Sequence, residues 1–213
     1  MFQDEYSRWC QAELVDFDLK RELTEIAGDE DAIRERFAAS LSFGTAGLRG
    51  TLGVGTNRMN IWVVRQATQG IADWVKTKGG SQTVAISYDS RLKGWNFARD
   101  AASVLAANGI QVRLYDELMP VPALSFATRY YNCNAGIMIT ASHNPAKYNG
   151  YKAYGADGCQ VTDEDAAIVY AAIQKTDVLG GAKFMSFAEG VEKGLIRFVE
   201  DACKEAFYAA VES

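Results

Sequence analysis

Two periodicities alternate along this chain. Apolar positions at Trp9, Leu14, Leu23, Ile26, Ile33 and Phe37 are spaced through a polar first forty residues, the pattern of helices burying one side. Asp29-Glu30-Asp31 ahead of Ile33 is an acidic helix start, favoured by the positive end of the helix dipole. A stripe at Ile61, Val64, Ile71, Trp74 and Val75 predicts a helix capped by Asn57, running to about Lys78 and ended by Gly79-Gly80. Short apolar runs at residues 83–88, 112–115 and 135–139 read as strands. A helix over roughly residues 95–108, stopped by Gly109, separates the first two, and a short helix started by Pro120-Val121-Pro122 separates the last two. Residues 151–154 read as a further short strand, with a turn at 155–158. Thr162 with Asp165 caps a helix to about Lys175, Gly180-Gly181 and Gly190 mark a looser stretch, and a last helix covers about residues 196–211. Strands alternating with helices predict a layered α/β/α domain with a mixed sheet, plus an N-terminal helical arm and a C-terminal helix.

Composition narrows the function classes. With 27 acidic against 22 basic side chains in 213 residues and no long basic run, a nucleic-acid partner is not expected. No apolar run reaches the ~20 residues of a bilayer span, and residues 1–5 have neither a basic start nor an apolar core. Cys10, Cys133, Cys159 and Cys203 are scattered, without a Cys-x-x-Cys pair, and read as free thiols in a reducing compartment. The expectation is a soluble cytoplasmic protein with no membrane partner.

The chain's one histidine lies in Thr140-Ala141-Ser142-His143-Asn144-Pro145, at the end of the apolar run 135–139. Asn144-Pro145 and Asn149-Gly150 are turn signals, so Ser142 and His143 are expected on a loop held by a strand, a common setting for reacting groups. A serine hydroxyl is a weak nucleophile without a base, a metal or an activated phosphoryl donor. Sequential Ser-His side chains on an extended chain point to opposite faces, so a structural turn is an equal reading of this pair. Lys152 taken alone is a solvated surface charge, yet it alternates with Tyr151 and Ala153 on a strand that could turn it toward Ser142. Arg49, among the glycines of residues 43–55, suggests an oxyanion contact, and the same segment could be only a tight turn. Asp89-Ser90-Arg91 at a strand end is either a capping turn or part of a site. Together these groups fall near strand ends, the edge where ligands gather in open α/β sheets.

The segment from Thr140 to Pro145, followed by Tyr148-Asn149-Gly150-Tyr151-Lys152, resembles the active-serine signature of the α-D-phosphohexomutase superfamily, which includes phosphoglucomutases and phosphomannomutases. Phe43-Gly44-Thr45-Ala46-Gly47-Leu48-Arg49-Gly50 and Tyr88-Asp89-Ser90-Arg91 are similar to other first-domain motifs of that superfamily, in the same order. The N-terminal arm and the phrase Met59-Asn60-Ile61 through Ala67-Thr68-Gln69-Gly70 look closest to its branch of larger enzymes.

The resemblance implies that Ser142 is carried as a phosphoserine and exchanges its phosphoryl group with a hexose or pentose phosphate through a bisphosphorylated sugar. It implies Mg²⁺ held partly by the Ser142 phosphate, a sugar bisphosphate activator, Lys152 assisting proton transfer and Arg49 near the reacting phosphate. His143 would line the site, with Thr45, Asp89, Arg91 and Asn149 on the substrate side. The family's metal loop, Asp-Gly-Asp-x-Asp-Arg, does not occur here: Asp157-Gly158 is followed by Cys159-Gln160. The implied organisation is an arm at 1–40, the active-serine domain at 41–190, and a linker with the first helix of a truncated second domain at 191–213. The remaining domains would be partners, and this polypeptide alone is expected to lack mutase turnover. A non-catalytic sugar-phosphate-binding domain and an assembly module are the readings from other classes; neither a Gly-x-Ser-x-Gly elbow nor a second histidine supports a hydrolase.

Overall fold

The computed structural model describes residues 1–212. Its first three helices are α1 (Phe2–Gln11), α2 (Phe17–Glu25) and α3 (Glu30–Phe37). Asp16 caps α2 by accepting from the Asp18 N–H, and Asp29 caps α3 by accepting from the Ala32 N–H. The six apolar positions spaced along this segment are all buried, in one cluster with Phe43, Leu48, Val54 and Met59 of the following chain. The rings of Tyr6 and Trp9 both meet Phe37 edge-on. Charges close the seam: Glu22 accepts from the Arg36 Nε and the Val54 N–H, and the Lys93 ammonium bridges Asp16 and Asp18 at 2.9 Å each.

The glycine-rich stretch delivers β1 (Leu48–Thr51), followed by α4 (Ile61–Thr77), β2 (Thr83–Tyr88), α5 (Gly94–Ala107) and β3 (Gln111–Leu114). Then come α6 (Val121–Tyr130), β4 (Ala135–Ile139), β5 (Tyr148–Gly155), α7 (Asp163–Lys175), α8 (Phe187–Glu192), β6 (Ile196–Phe198) and α9 (Asp201–Glu212). The sheet order is β1-β5-β4-β2-β3-β6; β4, β2, β3 and β6 run parallel, while β5 is antiparallel to both neighbours, which makes the sheet mixed. Alternation along the central strands separates two cores. Val84, Ile86, Ile137 and Ile139 face the cluster holding the apolar stripe of α4 with Ala98, Ala101 and Val169, whereas Ala85 and Met138 face Leu124, Ala127, Cys203 and Phe207 from α6 and α9. The result is the α/β/α layering expected from the alternation of elements. Among the described residues no helix is long and apolar enough to cross a membrane.

Four local expectations are corrected. Helix α4 is capped by Asn60, not Asn57: the Asn60 side chain accepts from the Trp62 and Val63 N–H groups and donates to the Gly53 and Gly55 carbonyls, while Asn57 donates instead to the Glu35 carbonyl. Because Asn60 both caps the helix and ties two turns of the glycine loop, Asn60→Ala is expected to lower stability by about 2 kcal/mol, measured by urea unfolding. Residues 196–198 form β6 rather than a helix start, since they complete the open edge of β3 with Ile196 opposite Val112. The looser stretch contains α8, capped by Ser186, with Gly190 so close to Ile196 that a Cβ would lie 2.5 Å from its side chain. Finally, Asn149-Gly150 is not a turn but lies within β5, a longer strand than expected.

All four cysteines are free; Cys10 and Cys159 are exposed, Cys133 and Cys203 buried. Burial pushes the Cys133 thiol up to about 12 and raises Cys203 as well. A thiol reagent at pH 8 is therefore expected to modify Cys10 and Cys159 at once, and Cys133 and Cys203 only on unfolding.

Candidate active site at the Ser142 loop

Strands β4 and β5 are antiparallel neighbours, and residues 140–147 connect them at the sheet end where β2 also terminates. The loop is internally bonded: Asn144 N–H donates to the Ala141 carbonyl at 3.1 Å and Tyr148 N–H to the Pro145 carbonyl at 2.9 Å. At its apex Ser142 has φ +56°, a left-handed conformation uncommon for a residue with a Cβ. A polar chain holds it there. The Ser142 N–H donates to the Thr140 hydroxyl at 2.9 Å, the Thr140 hydroxyl donates to Asp89 Oδ2 at 2.5 Å, and Asp89 Oδ1 accepts from the Arg91 N–H. The serine side chain itself is exposed.

Arg91 lies beneath the loop with its side chain only 12% exposed. Its Nη1 donates to the carbonyls of Pro145 and Tyr148, and its Nη2 to those of Ser142 and Asn144, at 2.7 to 3.2 Å. Its Nε is buried without a hydrogen-bond partner, 3.7 Å from Asp89 Oδ2. Arg49 approaches from β1, in register with Gly150, and donates from Nη1 to the Asn144 Oδ1 at 2.9 Å. Gly150 has to be a glycine: a Cβ there would stand 2.5 Å from the Thr140 carbonyl oxygen and 2.8 Å from that of Leu48.

The remaining expected residues divide clearly. His143 Nδ1 is 3.4 Å from Ser142 Oγ, and among the described residues no carboxylate orients the ring, so the pair is not a triad. Lys152 pairs with Met138 on β4, on the same sheet face as Arg49 and Gly150. Among the described residues its ammonium has no hydrogen bond or ion pair. Met138, the strand partner of Lys152, lies four residues before Ser142, so Lys152 stands back from the serine along the sheet. Thr45 sits at the tip of a turn closed by the Gly47 N–H to the Gly44 carbonyl, and that turn rests on β5 beside Lys152. Asn149 is fully buried, its amide spent on the Leu92 carbonyl and the Gly150 N–H, so it supports the strand from inside. Thr140 and Asn144, both in the hexapeptide around Ser142, carry no sequence signal of these roles, which depend on contacts to Asp89 and Arg49.

Electrostatics favour an anion. Arg49, Arg91 and Lys147 stand at the loop, where the Asp89 carboxylate already accepts two hydrogen bonds. A cleft of about 600 Å³ opens beside Arg49, Lys147 and Tyr148 and continues to Arg36, Arg58 and the Glu35 carboxylate, which is paired with Arg58. A second cavity of about 410 Å³ lies under α2, lined by Asp16, Glu22, Lys93 and Phe97, and includes none of the site residues. Among the described residues no three histidine, cysteine or carboxylate groups converge to hold a metal ion.

Residues 40–179 match the family model for phosphoglucomutase/phosphomannomutase, alpha/beta/alpha domain I. The chain is 46% identical over 132 residues to a phosphoglucomutase of Staphylococcus haemolyticus, covering 62% of this chain and 24% of that one. It is 38% identical over 177 residues to a phosphoglucomutase of Staphylococcus saprophyticus, covering 83% and 32%. A crystal structure from Thermus thermophilus, provisionally assigned as a phosphomannomutase, superposes with a TM-score of 0.60 at 30% identity, covering 73% of this chain and 35% of that one. The chain thus spans about a quarter to a third of the length of these relatives.

Proposed function

Because the chain belongs to the phosphoglucomutase/phosphomannomutase family through its α/β/α domain I, we propose that Ser142 is the phosphoryl carrier of a mutase acting on hexose or pentose phosphates. The observation that carries this reading is an exposed hydroxyl at the apex of a locked loop, ringed by cations and lacking an oriented base. Phosphoryl transfer asks the protein mainly to position groups and neutralise charge, which is what such a ring supplies. In the transfer the Ser142 Oγ–phosphorus bond forms as the sugar oxygen–phosphorus bond of a bisphosphate breaks. Lys152, the unpaired ammonium on the same sheet face as Arg49, hands a proton to the departing sugar oxygen and receives the serine's proton. Arg49 neutralises the moving phosphoryl group, Thr45 and His143 line the space, and Asp89 and Asn149 hold the walls.

Mg²⁺ is the family's expected cofactor. This ion takes about six oxygen ligands, and the described residues bring no such set together, so the chain's own side chains do not complete its site. The Ser142 phosphate would supply one oxygen. In this proposal the chain divides into an arm at 1–40, an active-serine domain at 41–190 and a segment at 191–213 leading to a second domain. In it, β6 and α9 are the segment's anchor on the first domain. The four free cysteines favour a reducing, cytoplasmic setting.

The test is to incubate the protein with glucose 1,6-bisphosphate and Mg²⁺ and read intact mass and the modified peptide. One phosphoryl group on Ser142 is expected; bisphosphate binding with Ser142 unmodified would mean a binding domain instead. Interconversion of glucose 1-phosphate by this chain alone is not expected, and a robust rate would overturn that part. Lys152→Met should slow loading of Ser142 by about 100-fold, the lower end of what a proton-transfer group contributes, with Ser142 still the modified residue.

A further inference from the structure

We infer that Arg91 is a positioning residue that sets the shape of the Ser142 loop, and not a ligand of the substrate phosphate. This deepens the proposed role of Ser142 and rests on it only for the loading assay. An arginine at a phosphate site presents its planar fork outward to oxygens of the ligand. Here both terminal nitrogens are spent inward, on the carbonyl oxygens of Ser142, Asn144, Pro145 and Tyr148. Those four carbonyls run from the apex of the loop to the start of β5. One rigid group thereby fixes the apex and the descending half together, and the contact to the Ser142 carbonyl acts on the residue held at φ +56°.

The backbone of Arg91 is itself tied from below. Its main-chain N–H donates to Asp89 Oδ1, and the other oxygen of that carboxylate, 3.7 Å from the guanidinium Nε, accepts from the Thr140 hydroxyl, which in turn receives the Ser142 N–H. Ser142 is therefore gripped from its N–H side through Thr140 and Asp89 and from its carbonyl side through Arg91. Closing this ring explains a geometry that a left-handed serine would otherwise leave. It also accounts for the pairing of Asp89 and Arg91 two residues apart after β2. A lysine cannot replace the fork: three N–H groups on one nitrogen do not reach four carbonyls spread over seven residues.

Arg91→Lys and Arg91→Ala, each checked by thermal melting, test this. The first readout is amide hydrogen exchange at Asn144 and Tyr148 compared with the β4–β5 ladder. Both variants should exchange at least about 100-fold faster in the loop, with the ladder unchanged. The second readout is loading of Ser142 from glucose 1,6-bisphosphate, which both variants should lose and which millimolar guanidinium should restore to Arg91→Ala. A residue needed only for overall stability would not be rescued by a denaturant ion. Unchanged loop exchange in either variant, or wild-type loading by Arg91→Lys, overturns the inference, the latter because charge alone would then suffice. If the wild type itself never loads while loop exchange responds as described, the phosphoserine reading fails and the role of Arg91 in shaping the loop stands.

Discussion

Ser142→Ala is expected to abolish the phosphate adduct, with no residual modification at neighbouring hydroxyls. The alanine lacks the oxygen that forms the new bond, and the nearest alternative, Thr140, has its hydroxyl committed to Asp89 at 2.5 Å. The loop should keep its shape, because Ser142 holds it through the backbone and not the side chain. Two further variants sharpen the result. Ser142→Thr retains a hydroxyl but places a β-branched residue at φ +56°, so loading should fall sharply with loop exchange accelerated. His143→Ala should load within about tenfold of wild type, less than the loss expected for a true general base. Its ring is 3.4 Å from the serine oxygen, and among the described residues no other group orients it. An adduct that persists in Ser142→Ala, or maps to His143, would sink the proposed chemistry.

The largest stability effect is expected at Gly47→Ala. Gly47 has φ +75°, and a Cβ built there stands 2.0 Å from the Tyr151 carbonyl oxygen and 2.8 Å from the Lys152 Cα. Left-handed strain alone costs roughly 1–2 kcal/mol for a residue with a side chain. The clash adds to it because backbone atoms of a central strand cannot rotate away, so the whole Thr45 turn must lift from β5. The total should exceed about 3 kcal/mol in urea unfolding. Lifting the turn also moves Thr45 from Lys152, so loading at Ser142 should fall even at temperatures where the variant is folded. Gly44→Ala is the control: it has no positive φ and nothing within 4 Å of a built Cβ, so it should stay within about 1 kcal/mol. A Gly47→Ala protein as stable as the control would show that the turn is not seated on β5.

Much of the molecule was legible from local pattern. The run at 135–139 is β4 with the same limits, and Thr162 caps α7 through the Asp165 N–H as its spacing suggested. The six spaced apolar positions of the first forty residues, Trp9, Leu14, Leu23, Ile26, Ile33 and Phe37, are buried, because a helical period with one apolar side has to cover that side. The misreadings share a cause. Residues 196–198 carry no strong strand signal of their own and become β6 because the edge of β3 needs a partner. Asn57 and Asn60 are equally good caps by residue type, and the choice between them follows from the glycine-loop carbonyls that Asn60 also serves.

The site divides the same way. Chemistry-bearing residues are marked by type and grouping in the sequence itself: Ser142, His143, Lys152, Arg49 and the Asp89/Arg91 pair. Local sequence determines which elements form and which side chains are available, because helix period, strand alternation and turn residues act over a few neighbours. It does not determine which way a long polar side chain turns. Arg91 faces four loop carbonyls and Asn149 points into the core, while Lys152 is left without a partner. Those outcomes depend on residues 51 to 57 positions away, brought together only when the parallel strands and their antiparallel neighbour close into one sheet. A buried polar group has to find its partner in that packed arrangement, so the tertiary structure alone decided which cations hold the loop and which is free to act on a ligand.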